Sequence, residues 1–299
     1  MDERRLFRSI IVNGCLLGYC LSAEASLSEV YGSFITRLNE ENLTEYLDKG
    51  GDINVRVLEF PLLSSSIHYG YPNFVKLLLK RKADPDVVDA NGDTPLGHAV
   101  RKCNFGIVEL LLNYNADPNK ISGLDTPLVH AVRSCCWRKS KDKLKKASAI
   151  VKLLLRSGAD PNPHFSQVSM LPLHAAAYYG VPQKVIERLI DAGADVEGRD
   201  CYGNTPLHVA AKNGGYLQIW ALIGKGANVN ALNEFNQTPF DSAISGRNKI
   251  RREINEEKDL RDSPIKGDID FRYKVTTELL RLRGATIGSD VEPEDSEVQ

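Results

Sequence analysis

The 299-residue chain has no surplus of either charge: 38 lysines and arginines stand against 39 aspartates and glutamates. With a net charge of −1 it carries no global field for gripping nucleic acid or an anionic membrane, so any charged site must be a local patch. Long apolar runs are also missing. None reaches the roughly 18 residues that cross a bilayer, and no membrane partner is expected. Six cysteines, Cys15, Cys20, Cys103, Cys135, Cys136 and Cys201, include no Cys-x-x-Cys pair and are too sparse for a disulfide framework or a closed zinc site. They are expected to be free thiols, and no metal is expected. Gly-x-Gly-x-x-Gly, Gly-x-x-x-x-Gly-Lys-Ser/Thr, His-Glu-x-x-His and Gly-x-Ser-x-Gly are absent, which leaves neither a phosphate cradle nor a hydrolase elbow. No catalytic residues, no cofactor and no enzyme activity are expected. What is present, 42% hydrophobic and 26% charged residues, is the composition of an ordinary globular chain.

The first 26 residues carry two readings. Arg4, Arg5 and Arg8 precede an apolar stretch from Ile10 to Leu21, and Ala23-Glu24-Ala25 has the form of a secretory cleavage site. Export with cleavage after Ala25 is one reading. A helix that caps the next unit, in a protein of the cytoplasm, is the other.

From residue 60 onward the chain repeats. Phe60-Pro61-Leu62, Thr94-Pro95-Leu96, Thr126-Pro127-Leu128, Leu171-Pro172-Leu173, Thr205-Pro206-Leu207 and Thr238-Pro239-Phe240 place prolines 34, 32, 45, 34 and 33 residues apart. Behind each anchor comes an aliphatic run and then a small-residue turn. Examples are Val75-Lys76-Leu77-Leu78-Leu79 with Ala83-Asp84-Pro85-Asp86, Val108 to Leu112 with Ala116-Asp117-Pro118-Asn119, and Leu222-Ile223 with Gly226-Ala227-Asn228-Val229-Asn230. A worn copy, Leu43 and Leu47 before Gly50-Gly51-Asp52-Ile53-Asn54, precedes them. Thr caps a helix whose first residue is Pro, so a helix is predicted at each Thr-Pro. Ala99, Ala131, Ala175, Ala176, Ala210, Ala211 and Ala243 follow on its inner face. Gly158, Gly193 and Gly226 suit the left-handed residue that ends the second helix. Lys82 and Asn115 replace them, with Lys the poorer substitute.

This pattern resembles the ankyrin repeat over residues 27–288. The resemblance implies an all-α solenoid of about seven stacked hairpin-helix-helix units with degenerate caps, whose core is continuous because no single unit can bury its apolar face. It implies that His174 and His208 tie hairpin to helix, and that a protein partner lies along the concave face. The variable helix positions there are His68, Tyr69, Arg101, Lys102, Arg133, Ser134, Tyr178, Tyr179, Lys212 and Asn213. The hairpin tips offer Val88, Asn91, Ile121, Arg199, Tyr202, Leu232 and Phe235. Aromatic residues flanking a basic middle complement a protein with an acidic or phosphorylated segment. Cys103 and Cys135 occupy equivalent places in adjacent repeats, roughly 8 to 10 Å apart for helices in ordinary contact, too far for a disulfide.

Two insertions break the period. Residues 136–147 include Trp137, Arg138, Lys139, Lys141, Lys143, Lys145 and Lys146, six cations against one acid. The second helix of that repeat is predicted to start about two turns early, and this strip is the alternative site, for a nucleic acid or another anionic ligand. Residues 247–272 read as an elongated first helix, a break at Ser263-Pro264 and a loop. The acidic tail, 289–299, is expected to be disordered. It is similar to translocation signals of bacterial effectors, which would place the protein in the cytoplasm of a host cell.

Overall fold

The computed structural model describes residues 40–57, 60–136, 141–164, 170–256 and 264–286. The expected leader or capping helix (1–26), Trp137, Arg138, Lys139 and the acidic tail lie outside these residues. Ser134, Lys141 and Lys143 fall within helices, but their side chains are outside the description.

The first described element is a helix, α1 (Glu40–Asp48), followed by a two-residue ladder in which β1 (Arg56–Val57) pairs antiparallel with β2 (Phe60–Pro61). Six helix pairs come next: α2 (Leu62–Tyr69) with α3 (Pro72–Lys80), α4 (Pro95–Arg101) with α5 (Phe105–Asn113), α6 (Pro127–Cys136) with α7 (Lys141–Arg156), α8 (Pro172–Tyr179) with α9 (Gln183–Asp191), α10 (Pro206–Lys212) with α11 (Tyr216–Gly224), and α12 (Pro239–Glu256) with α13 (Pro264–Leu282). The first helices pack on one another in series and the second helices form a parallel row behind them. This is the all-α solenoid that the 33-residue period implies.

Small residues make the inner row possible. Ala99, Ala131, Ala175, Ala176, Ala210, Ala211 and Ala243 are fully buried, so first helices meet almost backbone to backbone. Leu78, Leu111, Leu154, Leu189 and Leu222 seal the outer row. The recurring Asp or Asn after each small-residue turn has a second purpose. The amide of Asp84 donates to Asn54 Oδ1 (3.0 Å), Asp117 to Asp86 (3.0 Å), Asp160 to Asn119 (2.7 Å), Asp195 to Asn162 (2.9 Å), Asn228 to Glu197 (2.7 Å) and Thr286 to Asn230 (2.8 Å). Each unit is thus pinned to the next by one side-chain acceptor, a ladder along the whole described stack.

Helix starts follow the capping rule where Thr precedes Pro. Thr94 Oγ accepts from the Gly97 amide at 3.0 Å, and Thr126 Oγ from Val129 at 3.4 Å. The first anchor departs from the expectation. Pro61 is the N-cap of α2, and Leu62 takes the first helical place that Pro95, Pro172 and Pro206 occupy elsewhere. Phe60-Pro61-Leu62 is therefore shifted by one residue, because Pro61 closes the short β ladder before the helix begins.

Two further expectations are corrected. Cys103 is disulfide-bonded, to a partner outside the described side chains, whereas Cys201 is a free, exposed thiol. Cys103 lies just past the end of α4 with φ 53°, in a left-handed backbone that carries it off the helix. The loop expected after Ser263 is helical from Pro264, the favoured first helical residue, and this extends α13 to 19 residues. α7 is likewise long, 16 residues against nine in α3, α5, α9 and α11.

Candidate binding face

Counting from each N-cap, the seventh helical position presents His68, Arg101, Arg133, Tyr178 and Lys212 in turn. These side chains stand in one row, but they are not equally available. His68 is exposed and meets Tyr69 edge-on at 5.0 Å. Tyr178 is 50% exposed and meets Tyr179 edge-on at 5.0 Å. Lys102 and Lys212 are exposed, and Asn213 is half-buried.

The two arginines in the middle are engaged within the fold. Arg101 Nη2 lies 2.7 Å from Asp93 Oδ2, and Arg133 Nη1 lies 2.8 Å from the fully buried carboxylate of Asp125. Burial alone would raise the Asp93 carboxyl, but the Arg101 guanidinium and the Ser122 hydroxyl outweigh it and hold the group below its ordinary value. Arg101 was expected to be an exposed contact residue. It is half-buried, and its positive charge is already answered by its own hairpin.

At the C-terminal end the last pair closes over α10. The Tyr273 hydroxyl donates to the Lys212 carbonyl at 2.5 Å, and Arg272 donates to the Asn213 carbonyl at 3.1 Å. Burial pushes the Tyr273 phenol up to about 12, so it remains a donor at any physiological pH.

Hairpin tips supply the apolar part of the face. Tyr202 and Phe235, 56% and 60% exposed, lie on adjacent tips with ring centroids 6.4 Å apart. Arg199 joins those tips, donating to Gly203 O (3.0 Å) and Leu232 O (2.6 Å). Leu232 and Val88 are exposed, while Ile121 is half-buried. Leu124, 75% exposed, is a further apolar tip residue, signalled in the sequence only by its place in Gly123-Leu124-Asp125 directly before the Thr126-Pro127 anchor. Of the basic strip, Lys145 and Lys146 are exposed on the first turns of α7.

The histidines divide into two uses. Nε2 of His174 lies 2.9 Å from Asn204 O, and Nε2 of His208 lies 2.9 Å from Gln237 O, each reaching the hairpin of the following unit. His208 also closes a cap, its Nδ1 accepting from the Thr205 amide at 3.2 Å. His98 and His130 serve their own hairpins, through Asp89 (2.8 Å) and Ser122 O (2.7 Å). Asp89, Asp93 and His98 have ligand-type atoms within 4.8 Å of one another. Their lone pairs are committed: Asp89 accepts from the amides of Asn91 and Asp93, His98 from Arg101, and Asp93 pairs with Arg101. Among the described residues no helix is long and apolar enough to cross a membrane.

The model of ankyrin repeats (three copies) matches residues 62–162, 141–233 and 173–258. The E3 ubiquitin-protein ligase KEG of Arabidopsis thaliana is 25% identical over 248 residues, 70% of this chain and 15% of the ligase. The transient receptor potential channel pyrexia of Drosophila melanogaster is 32% identical over 153 residues, 51% of this chain and 15% of the channel. Protein fem-1 homolog A of Rattus norvegicus is 45% identical over 58 residues, 19% of this chain and 9% of that protein. The chain thus spans about one sixth or less of the length of these relatives. Among solved structures, the ankyrin repeat domain of Bcl-3, a member of the IkappaB protein family, superposes with a TM-score of 0.60 at 21% identity, covering 75% of this chain and 95% of that domain. That likeness concerns the fold.

Proposed function

The chain belongs to the ankyrin-repeat family, and on that premise we propose that it is a non-catalytic module that binds a protein partner across the first-helix ends and the hairpin tips. The observation that carries this reading is the row of large apolar side chains exposed along the first-helix ends and hairpin tips, Tyr178, Tyr202, Leu232, Phe235 and Leu124, with Tyr202 and Phe235 in ring contact. Phe105, Leu217, Trp220, Phe271 and Leu282, also exposed, are spread over the second helices α5, α11 and α13. Aromatic residues cost little conformational entropy for the area they bury and dominate interface energetics, so such a row is expensive to leave in water without a binding purpose. An acidic or phosphorylated segment of the partner would meet Lys102 and Lys212, the exposed cations of the row, and not Arg101 or Arg133, whose charge is answered internally.

The test is capture from extracts of the protein's own cells with the full chain and with a Tyr178→Ser/Tyr202→Ser/Phe235→Ser variant. A protein retained at moderate salt by the native chain and lost from the variant, at unchanged melting temperature, is the expected result. Equal capture by both, or capture only of nucleic acid that salt releases, would contradict the reading.

A further inference from the structure

One helix position deserves comparison across the stack. The third helical residue is His174 in α8 and His208 in α10, where the ring bridges to the next hairpin. In α4 it is Gly97, and the space a side chain would take is filled by Ser122 of the following hairpin, whose Oγ lies 1.9 Å from where a Cβ would stand. In α2 it is Ser64, and nothing from the next unit replaces the missing ring. A cavity of about 90 Å³ remains between α2 and α4, lined by Phe60, Ser64, Ser65, His68, Tyr69 and His98.

Its floor is unusual. Ser64 and Ser65 are 1% and 3% exposed, and neither hydroxyl has a hydrogen-bond partner. The neighbouring Ser66 bonds back to Leu62 O at 2.8 Å, as a helical serine ordinarily does. A buried hydroxyl without a partner is costly, so two side by side point to an occupant that answers them. The walls are aromatic, with His68 and His98 edge-on at 6.4 Å. The volume is well below the roughly 300 Å³ of a small-molecule site. It suits one planar side chain.

We propose that this cavity is an anchor pocket for a single aromatic ring bearing one hydrogen-bonding group, a tyrosine or histidine of the protein partner, seated where later repeats hold a histidine of their own. The ring would lie between Phe60, His68 and Tyr69, and its polar atom would meet the Ser64 and Ser65 hydroxyls. The pocket rests on the interaction reading above for its source of ligand, but not for its chemistry.

The experiment therefore has two arms. Phenol, imidazole and toluene are titrated into the 15N-labelled full chain. Phenol and imidazole are expected to shift amides confined to residues 62–70 and 95–102, and toluene to bind at least several-fold more weakly because it leaves both hydroxyls unanswered. Ser64→His restores the family ring, which should reach the Asp93 carbonyl as His174 reaches Asn204. It is expected to abolish fragment binding while raising the melting temperature. Ser64→Leu fills the space without a polar atom and should also block the fragments. Shifts elsewhere, equal binding of toluene and phenol, or undiminished binding to the Ser64→His and Ser64→Leu proteins would overturn the proposal. In the second arm, Ser64→His should weaken capture of any partner retained by the native face at least tenfold, and unchanged capture would overturn the partner-anchor role. Fragment binding without any captured partner would sink the interaction reading while leaving the ring site standing.

Discussion

The joint between α10 and α12 and the joint between α2 and α4 are built on the same helix position, yet one is closed and the other hollow. At the former, His208 fills the space, caps its own helix through Thr205 and donates from Nε2 to Gln237 O. At the latter, Ser64 leaves a cavity and a hydroxyl with no partner. The difference teaches that stacking in this solenoid depends on a few ring-sized contacts in addition to the alanine row, and that their loss at one joint turns a structural seam into a recess.

Removing the ring where it is present should have the largest effect. His208→Ala strands the buried Thr205 amide, removes one of the two donors to Gln237 O and opens a cavity, so a loss of about 2–3 kcal/mol is expected in chemical denaturation. A loss below about 1 kcal/mol would mean that the ring contacts do not govern the joints. Next comes Arg101→Ala, which strands Asp93 and should cost about 1–3 kcal/mol, whereas Tyr178→Ser on the same row should shift stability by less than about 0.5 kcal/mol. Equal effects at the two positions would erase the distinction between paired arginines and exposed aromatics.

Acid should act mainly on the closed joints. Burial lowers the imidazoles of His130, His174 and His208 below 6.5, partly opposed by their hydrogen bonds to backbone carbonyls. Above that value the rings are neutral in both folded and unfolded chains and stability is unaffected. As pH falls through it, the unfolded chain takes up protons that the folded rings refuse, and stability declines. Melting temperatures between pH 7.5 and 5.5 should fall, and less steeply in His174→Asn. Lys82 holds φ 68° at the end of α3, where Gly158, Gly193 and Gly226 serve later units. Lys82→Gly should gain roughly 1 kcal/mol at the hollow end of the stack. Smallest is Ser64→Ala, a net gain of less than about 0.5 kcal/mol, because relief of the unbonded hydroxyl is largely offset by enlargement of the cavity it lines.

The period, the capping threonines and the buried alanines were legible because each is a local rule repeated at fixed spacing. The family histidines were legible by position, and the structure adds their reach into the following hairpin. The arginine pairing leaves only a faint trace in the sequence: Asp93 precedes Arg101 and Asp125 precedes Arg133 by the same eight residues, a spacing that joins hairpin to helix only once the hairpin folds back. The cavity could not be read in the same way. Pro61 displaces the register of α2 by one residue, so the linear alignment sets Leu63 where the structure places Ser64. The bonded state of Cys103 was not legible from spacing either, because its left-handed backbone takes it off the helix surface.

The claim that Ser64 at the third helical position leaves the joint between α2 and α4 open is tested most directly by native-state hydrogen exchange, comparing the native chain with Ser64→His. The native chain should exchange faster across residues 62–69 than across residues 206–212, and the substitution should slow exchange at residues 62–69 while leaving residues 206–212 unchanged. Equal protection of the two helices in the native chain, or no slowing in the variant despite an intact fold, would contradict it.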